Sequence, residues 1–193
     1  MFQTIDELGR RISSCRKCES MNQGQRRVQG VGIDASVCIV GESPGRFGAD
    51  LTGVPFTQDR SGKLLRSMIE SVGLSQDVYI TNVVKCNARD KQGRNRSPSR
   101  KEIENCREYL KAELDLVKAK VIVPLGRTAA REFVDFKFRM SEINARIFSH
   151  RIYGSIFPLY HPGYIIRGNY SETLYTKDFR DLKKLIETKN KVL

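Results

Sequence analysis

Four cysteine thiols, a histidine and a few carboxylates carry most of the chemistry open to this 193-residue sequence. The stretch "CRKC" separates Cys15 and Cys18 by two residues, a spacing that lets two thiolates reach one metal centre, and Cys86 and Cys106 can complete a set of four. Zinc and an iron–sulfur cluster both accept four cysteines, and reduced, unligated thiols are a third possibility, so spacing alone leaves the choice open. The fifth cysteine, Cys38, sits inside the apolar run "VCIV" and reads as a small buried hydrophobe. A second concentration is "GESPG", residues 41–45. Gly41 and Gly45 flank Pro44, so the backbone there can approach a ligand closely and present its N–H groups. Neither a P-loop lysine nor a G-x-G-x-x-G pattern follows, which favours a ligand recognised by something other than its phosphates. Glu42 and Asp50 are the nearby carboxylates able to orient water or offset positive charge. Of the two histidines, His161 in "YHPG" follows an apolar run, whereas His150 in "FSHRIYG" reads as surface.

The charge balance sets the class of partner. Thirty-four Lys and Arg against 22 Asp and Glu give a formal charge of +12, enough to draw a polyanion and to make its binding salt-dependent. The cations cluster in "ARDKQGRNRSPSRK", where Asp90 is the one acid and Arg94 and Arg96 are candidates for phosphate contacts from a flexible loop. No stretch is long and apolar enough to span a bilayer, and the N-terminus lacks the apolar core of a signal peptide, so a cytoplasmic protein without membrane contact is expected.

The elements that must position these groups are legible from periodicity. Nearly continuous apolar runs over "VCIVG", "VYITNVV", "KVIVPLG" and "SIFPLYHPG" read as strands buried on both faces. Between them, "SGKLLRSMIESVG" and "SRKEIENCREYLKAELDLV" show helical spacing, with Ser99/Glu102 and Thr4/Glu7 as capping-box pairs. Alternating strands and helices predict an α/β fold. The expected form is a three-layer α/β/α sandwich around a central, mainly parallel four-stranded sheet, as one domain over 1–193, with ligands at the carboxyl ends of the strands. "GESPG", Asn82 and "YHPG" all fall there.

In this order, "GESPG", "GVPFTQDRSGKLL", "YITNVVKC", "NRSPSRKEIENC", "VIVPLGRTA" and "YHPGYIIR", together with the four outlying cysteines, resemble the uracil-DNA glycosylase superfamily. The resemblance runs from Cys15 to about Arg167 and is strongest to its iron–sulfur group, family 4. "FGADLTGVPFTQDRSG" is more similar to the neighbouring family 5, and the segment between Cys86 and Cys106 is longer than is usual for family 4.

The resemblance implies a monofunctional DNA glycosylase of base excision repair, a hydrolase acting on N-glycosyl bonds. It would flip a damaged base from the duplex and leave an abasic site. By position in the motifs, Phe56 would stack on the base and Asn82 would read its edge, with Gly41 and Ser43 completing the pocket. His161 would stabilise the departing base, and Glu42, with Asp50 as the alternative, would act on water or the sugar. Tyr164, Ile165 and Arg167 would form an exposed apolar wedge with a cation against DNA. Cys15, Cys18, Cys86 and Cys106 would hold a [4Fe-4S] cluster, ahead of zinc, and tie the N-terminal helix to the core. A monomer is expected. Gly45 stands where the well-known uracil enzymes carry a tyrosine, which leaves that place open to xanthine, hypoxanthine or mismatched thymine and base specificity unsettled by the sequence. The alternative is a catalytically silent nucleic-acid-binding module of the same fold.

Overall fold

Every residue of Val37–Gly41 (β1), Val78–Asn82 (β2) and Val121–Pro124 (β3) is buried, as expected of strands covered by helices on both faces. The computed structural model describes residues 2–19, 26–32, 35–134, 137 and 139–190. Its sheet has five strands in the order β2-β1-β3-β5-β4, with β4 at Phe148–His150 and β5 at Gly154–Ile156. All pairings are parallel except β4 with β5. The four expected strands are present. The fifth, β4, is a three-residue antiparallel edge strand whose half-exposed "FSH" has no apolar run to announce it.

Helices cover both faces. Ile5–Ser13 (α1), Arg100–Val117 (α4) and Gly126–Ala130 (α5) pack with Cys38, Val40, Tyr79 and Ile122 on one side. Arg60–Ser71 (α3), Pro162–Ile166 (α7) and Glu172–Asn190 (α8) pack with Val37, Ile39, Ile80 and Val123 on the other. Adjacent strand residues thus alternate between two cores, giving the three layers. Two four-residue helices, Ala49–Thr52 (α2) and Met140–Ile143 (α6), lie in connections. Among the described residues, no helix is long and apolar enough to cross a membrane.

The caps follow the sequence closely. Ser99 Oγ accepts from Glu102 N while the Glu102 carboxylate accepts from Ser99 N, a complete capping box for α4. At α1 only half of the box forms. Thr4 Oγ1 accepts from Glu7 N, but the Glu7 carboxylate accepts from Gln3 N, one residue earlier. Asp59 caps α3 through Gly62 N at 2.7 Å.

From β1 the chain crosses to β2 on one side of the sheet, and from β3 it proceeds to β5 on the other. The carboxyl ends of β1 and β3 therefore diverge at a topological switch point, where an open α/β sheet leaves a crevice.

Candidate active site

That crevice is a cavity of about 410 Å³, and the strand ends supply its walls. Glu42, Ser43 and Pro44 come from the exit of β1, Asn82 from the last position of β2, and Leu125 and Gly126 from the exit of β3. Phe56 and His161 complete the apolar side, with ring centroids 5.8 Å apart and planes tilted by 42°.

Gly41 makes this arrangement possible. It is the register partner of Asn82, and a Cβ built on it would lie 2.4 Å from Asn82 Oδ1 and 2.6 Å from the Phe56 ring. Any side chain at position 41 would occupy the place that these two groups share. Phe56 itself has φ of 50°, in the left-handed region where non-glycine residues are uncommon. Its backbone is held there by Arg66 of α3, whose guanidinium donates to Phe56 O at 2.7 Å and to Pro55 O at 2.8 Å.

Asn82 is 2 % exposed, and its Oδ1 has no hydrogen-bond partner among the described residues. Leaving a buried acceptor unpaired costs about 1–3 kcal/mol, so the orphaned oxygen marks a position built for a donor brought by a ligand. Behind it lies a polar network. Lys85 Nζ donates to Asn82 O at 2.7 Å, to Thr81 Oγ1 at 2.8 Å and to Glu113 at 2.6 Å. Glu113 also accepts from Thr81 Oγ1 and Gly30 N. The Lys85 ammonium is fully committed inside the protein and does not line the cavity.

His161 caps α7. Its Nδ1 accepts from Gly163 N at 3.0 Å, which assigns the ring proton of the neutral imidazole to Nε2. Burial, and then the positive charge of Arg167, lower its pKa from 6.5 to about 4, so the ring is neutral at pH 7. The preceding backbone is fixed from α6 and α8. Tyr160 N donates to the Asn144 side-chain oxygen at 2.8 Å, and Tyr175 Oη donates to Tyr160 O at 3.0 Å.

Several expectations change. Asp50 is fully buried and does not line the cavity; its carboxylate ion-pairs with Arg89 and accepts from Arg26 N at 3.1 Å. It holds the loop together, whereas Glu42 lines the cavity and ion-pairs with no cation among the described residues. Ile165 is not an exposed wedge: it is 6 % exposed and packs in the core, because α7 turns it toward α3. Tyr164 is half-buried and stacks on Tyr160 with centroids 4.7 Å apart, while Arg167 is exposed and lines the cavity.

The basic loop is fastened rather than free. Asn87 Nδ2 donates to Pro44 O at 2.6 Å and to Asn95 Oδ1 at 2.9 Å. Arg96 lines the cavity, but its guanidinium is engaged by both oxygens of Glu102; Arg94 pairs with Asp90 and does not reach the cavity. Two further cavity residues, Asp59 and Arg127, are missing from the sequence reading. Asp59 stands just before α3, so its capping role was the available signal. Arg127 follows the glycine at the end of β3.

Cys15, Cys18, Cys86 and Cys106 line a single small cavity on the other face of the sheet, and Cys38 is buried without lining it. Lys85 N donates to Cys106 Sγ at 3.2 Å and Asn105 Nδ2 to Cys18 Sγ at 3.4 Å. Burial and the neighbouring sulfurs push the Cys86 thiol up to about 12, and burial pushes Cys106 up to about 11, so these thiols do not ionise together without a compensating cation. Among the described residues, no three His, Cys, Asp or Glu side chains are gathered into a site for a single metal ion.

Fold and cavity define an α/β protein with a pocket at the carboxyl ends of its strands, lined by an aromatic ring, a histidine and a buried amide. The family model of the Uracil DNA glycosylase superfamily matches residues 29–184, and the chain belongs to that superfamily. It is 36 % identical over 201 residues to the Type-4 uracil-DNA glycosylase of Archaeoglobus fulgidus, covering 100 % of this chain and 98 % of the relative. It is 30 % identical to the Type-4 uracil-DNA glycosylase of Thermotoga maritima, covering 96 % of each. A shorter similarity, 33 % over 135 residues, links it to the Type-5 uracil-DNA glycosylase of Pyrobaculum aerophilum, covering 62 % of this chain and 58 % of the relative.

Proposed function

We propose that this protein is a monofunctional uracil-DNA glycosylase that hydrolyses the bond between uracil and deoxyribose in DNA and leaves an abasic site. The observation that carries the reading is the unpaired, buried Oδ1 of Asn82 beside the Phe56 ring. Uracil presents an N–H on its pairing edge between two carbonyl oxygens, so it brings the donor that Oδ1 lacks, and the side-chain NH₂ of Asn82 can donate to the adjacent carbonyl. Phe56 offers a face for stacking.

Water attacks the anomeric carbon as the C1′–N1 bond breaks, and the bonding electrons leave with the base. His161 Nε2–H donates to the base oxygen on which that negative charge develops, while Glu42 orients the water and takes its proton. A neutral imidazole suits this role, because it stabilises the anion without first protonating the base. Schiff-base chemistry would need an accessible amine, and the one lysine next to Asn82 is spent on Glu113.

Cys15, Cys18, Cys86 and Cys106 are the residues that would hold a [4Fe-4S] cluster, the reading that the likeness to Type-4 relatives favours over zinc. They line one cavity from three segments, and a [4Fe-4S] cluster is held by four thiolates of this kind. Bound there, it would supply cross-linking and charge compensation for the thiolates.

The test is release of uracil from a labelled oligonucleotide, followed by alkaline cleavage at the abasic site. Wild type is expected to release uracil, and Asn82→Ala to lose at least 100-fold in kcat/KM. Binding of the uracil-containing strand without release would overturn the proposal in favour of a catalytically silent DNA-binding module.

A further inference from the structure

The buried position of Ile165 leaves open which group fills the gap that a flipped nucleotide leaves in the duplex. Phe47 is 67 % exposed and is the one aromatic among the large exposed hydrophobic residues of the described structure. Of the other four, Leu51 is less exposed, at 41 %, and lies on α2 beside it; Ile147 and Ile152 flank the β4–β5 edge and Leu174 lies on α8, these three on elements that contribute nothing to the cavity. Phe47 sits at its rim. Gly45 and Ala49, two residues away on either side, both line the cavity, so residues 46–48 form the lip between them.

The lip is held in shape. Gly48 N and Asp50 N both donate to Gly45 O, at 3.2 and 3.1 Å, and close the turn. Arg46 N donates to Asn95 Oδ1 at 3.3 Å, and its guanidinium donates to Gly93 O at 2.8 Å. The same guanidinium lies 5.0 Å from the centre of the Phe47 ring, a cation–π contact that supports the ring on one side. A large apolar ring is thereby kept in water by a preformed turn, when folding alone would favour its burial.

We propose that Phe47 is the wedge: its ring enters the base stack at the position vacated by the nucleotide that occupies the cavity. The inference rests on the glycosylase reading and adds the group that stabilises the extruded state. Apolar side chains of this kind part base steps, and a π face stacks on any neighbouring base. Arg127 and Arg167 border the same opening and give cationic flanks for the phosphates beside the turned-out nucleotide.

A wedge acts where there is a stack to fill, so the experiment compares uracil release from a duplex with release from the same strand alone. Phe47→Ala is expected to lose roughly 5- to 150-fold in kcat/KM on duplex, the range of base–aromatic stacking, and to stay within about twofold of wild type on the single strand. Phe47→Leu should recover part of the duplex rate. Equal losses on both substrates, or none on either, would overturn the proposal. So would a duplex-selective loss in Ile166→Ala but not in Phe47→Ala, because the wedge would then lie on α7. Failure of wild type to release uracil from either substrate would overturn the glycosylase activity itself, and the wedge with it.

Discussion

Removing the guanidinium beside His161 tests the electrostatic argument most directly. Burial of the ring, and then the charge of Arg167, lower the imidazole pKa from 6.5 to about 4, so the ring is neutral at pH 7. The sign is fixed: the neutral, hydrogen-donating form predominates above the folded-state value and is lost as pH falls through about 4. Between 6.5 and 4 an unfolded chain binds a proton that the folded chain refuses. This residue's contribution to stability therefore declines over that interval and is flat below it. The assay is a nitrogen-detected imidazole titration of His150→Gln, which leaves His161 as the one histidine of the sequence. The midpoint should fall near 4 and rise in Arg167→Gln, with a smaller rise in Arg167→Lys. Uracil release on single strands should keep its plateau down to about pH 5 in the parent. A His161 midpoint at 6.5, or one unmoved by Arg167→Gln, would refute the reasoning.

Two other predictions separate groups that the sequence could not. Glu42→Gln should lower kcat by about 10²- to 10⁴-fold with its urea midpoint unchanged, as expected of a group that handles a proton. Asp50→Asn should instead lose about 3 kcal/mol of stability by stranding Arg89, with kcat per folded molecule nearly intact; urea unfolding and initial rates measure both. Purified protein should contain iron and acid-labile sulfide in equal amounts, and Cys86→Ser should lose both while Cys38→Ser keeps them. Zinc in place of iron, or a metal content indifferent to Cys86, would count against the cluster.

The layered architecture was legible because parallel strands buried on both faces leave uninterrupted apolar runs, and β1 has the limits that its sequence suggested. The second run extends to Val84, but β2 stops at Asn82, where Val83 and Val84 instead bond to Gly41 O and Glu42 O along the loop. The fourth run gives a three-residue β5, since beyond Phe157 the chain contains Pro158 and continues as a single bridge at Leu159. Phe56, Asn82 and His161 were singled out by their places in the motifs that carry the family resemblance, and all three line the crevice. Asp50 and Ile165 were misplaced for a common reason. Each looks functional as a residue type near a motif, and each is buried by a short helix, α2 or α7, too brief to show its period in sequence. The partnership of Arg96 with Glu102 was equally hidden, because charge clustering says how many cations a loop carries and not which are already neutralised.

The strand exit from Thr81 to Cys86 gives the two faces of the sheet a common mechanical part. Asn82 points into the crevice on one side, Cys86 lines the sulfur cavity on the other, and Lys85 between them grips Asn82 O through its ammonium and Cys106 Sγ through its amide. The segment is anchored at its middle by the buried ion pair of Lys85 with Glu113. The backbone that sets the side chain of Asn82 at the crevice is thus the same short segment that carries Cys86 to the sulfur cavity, and neither position can be displaced without disturbing the bonds that Lys85 makes to Asn82 O and Cys106 Sγ.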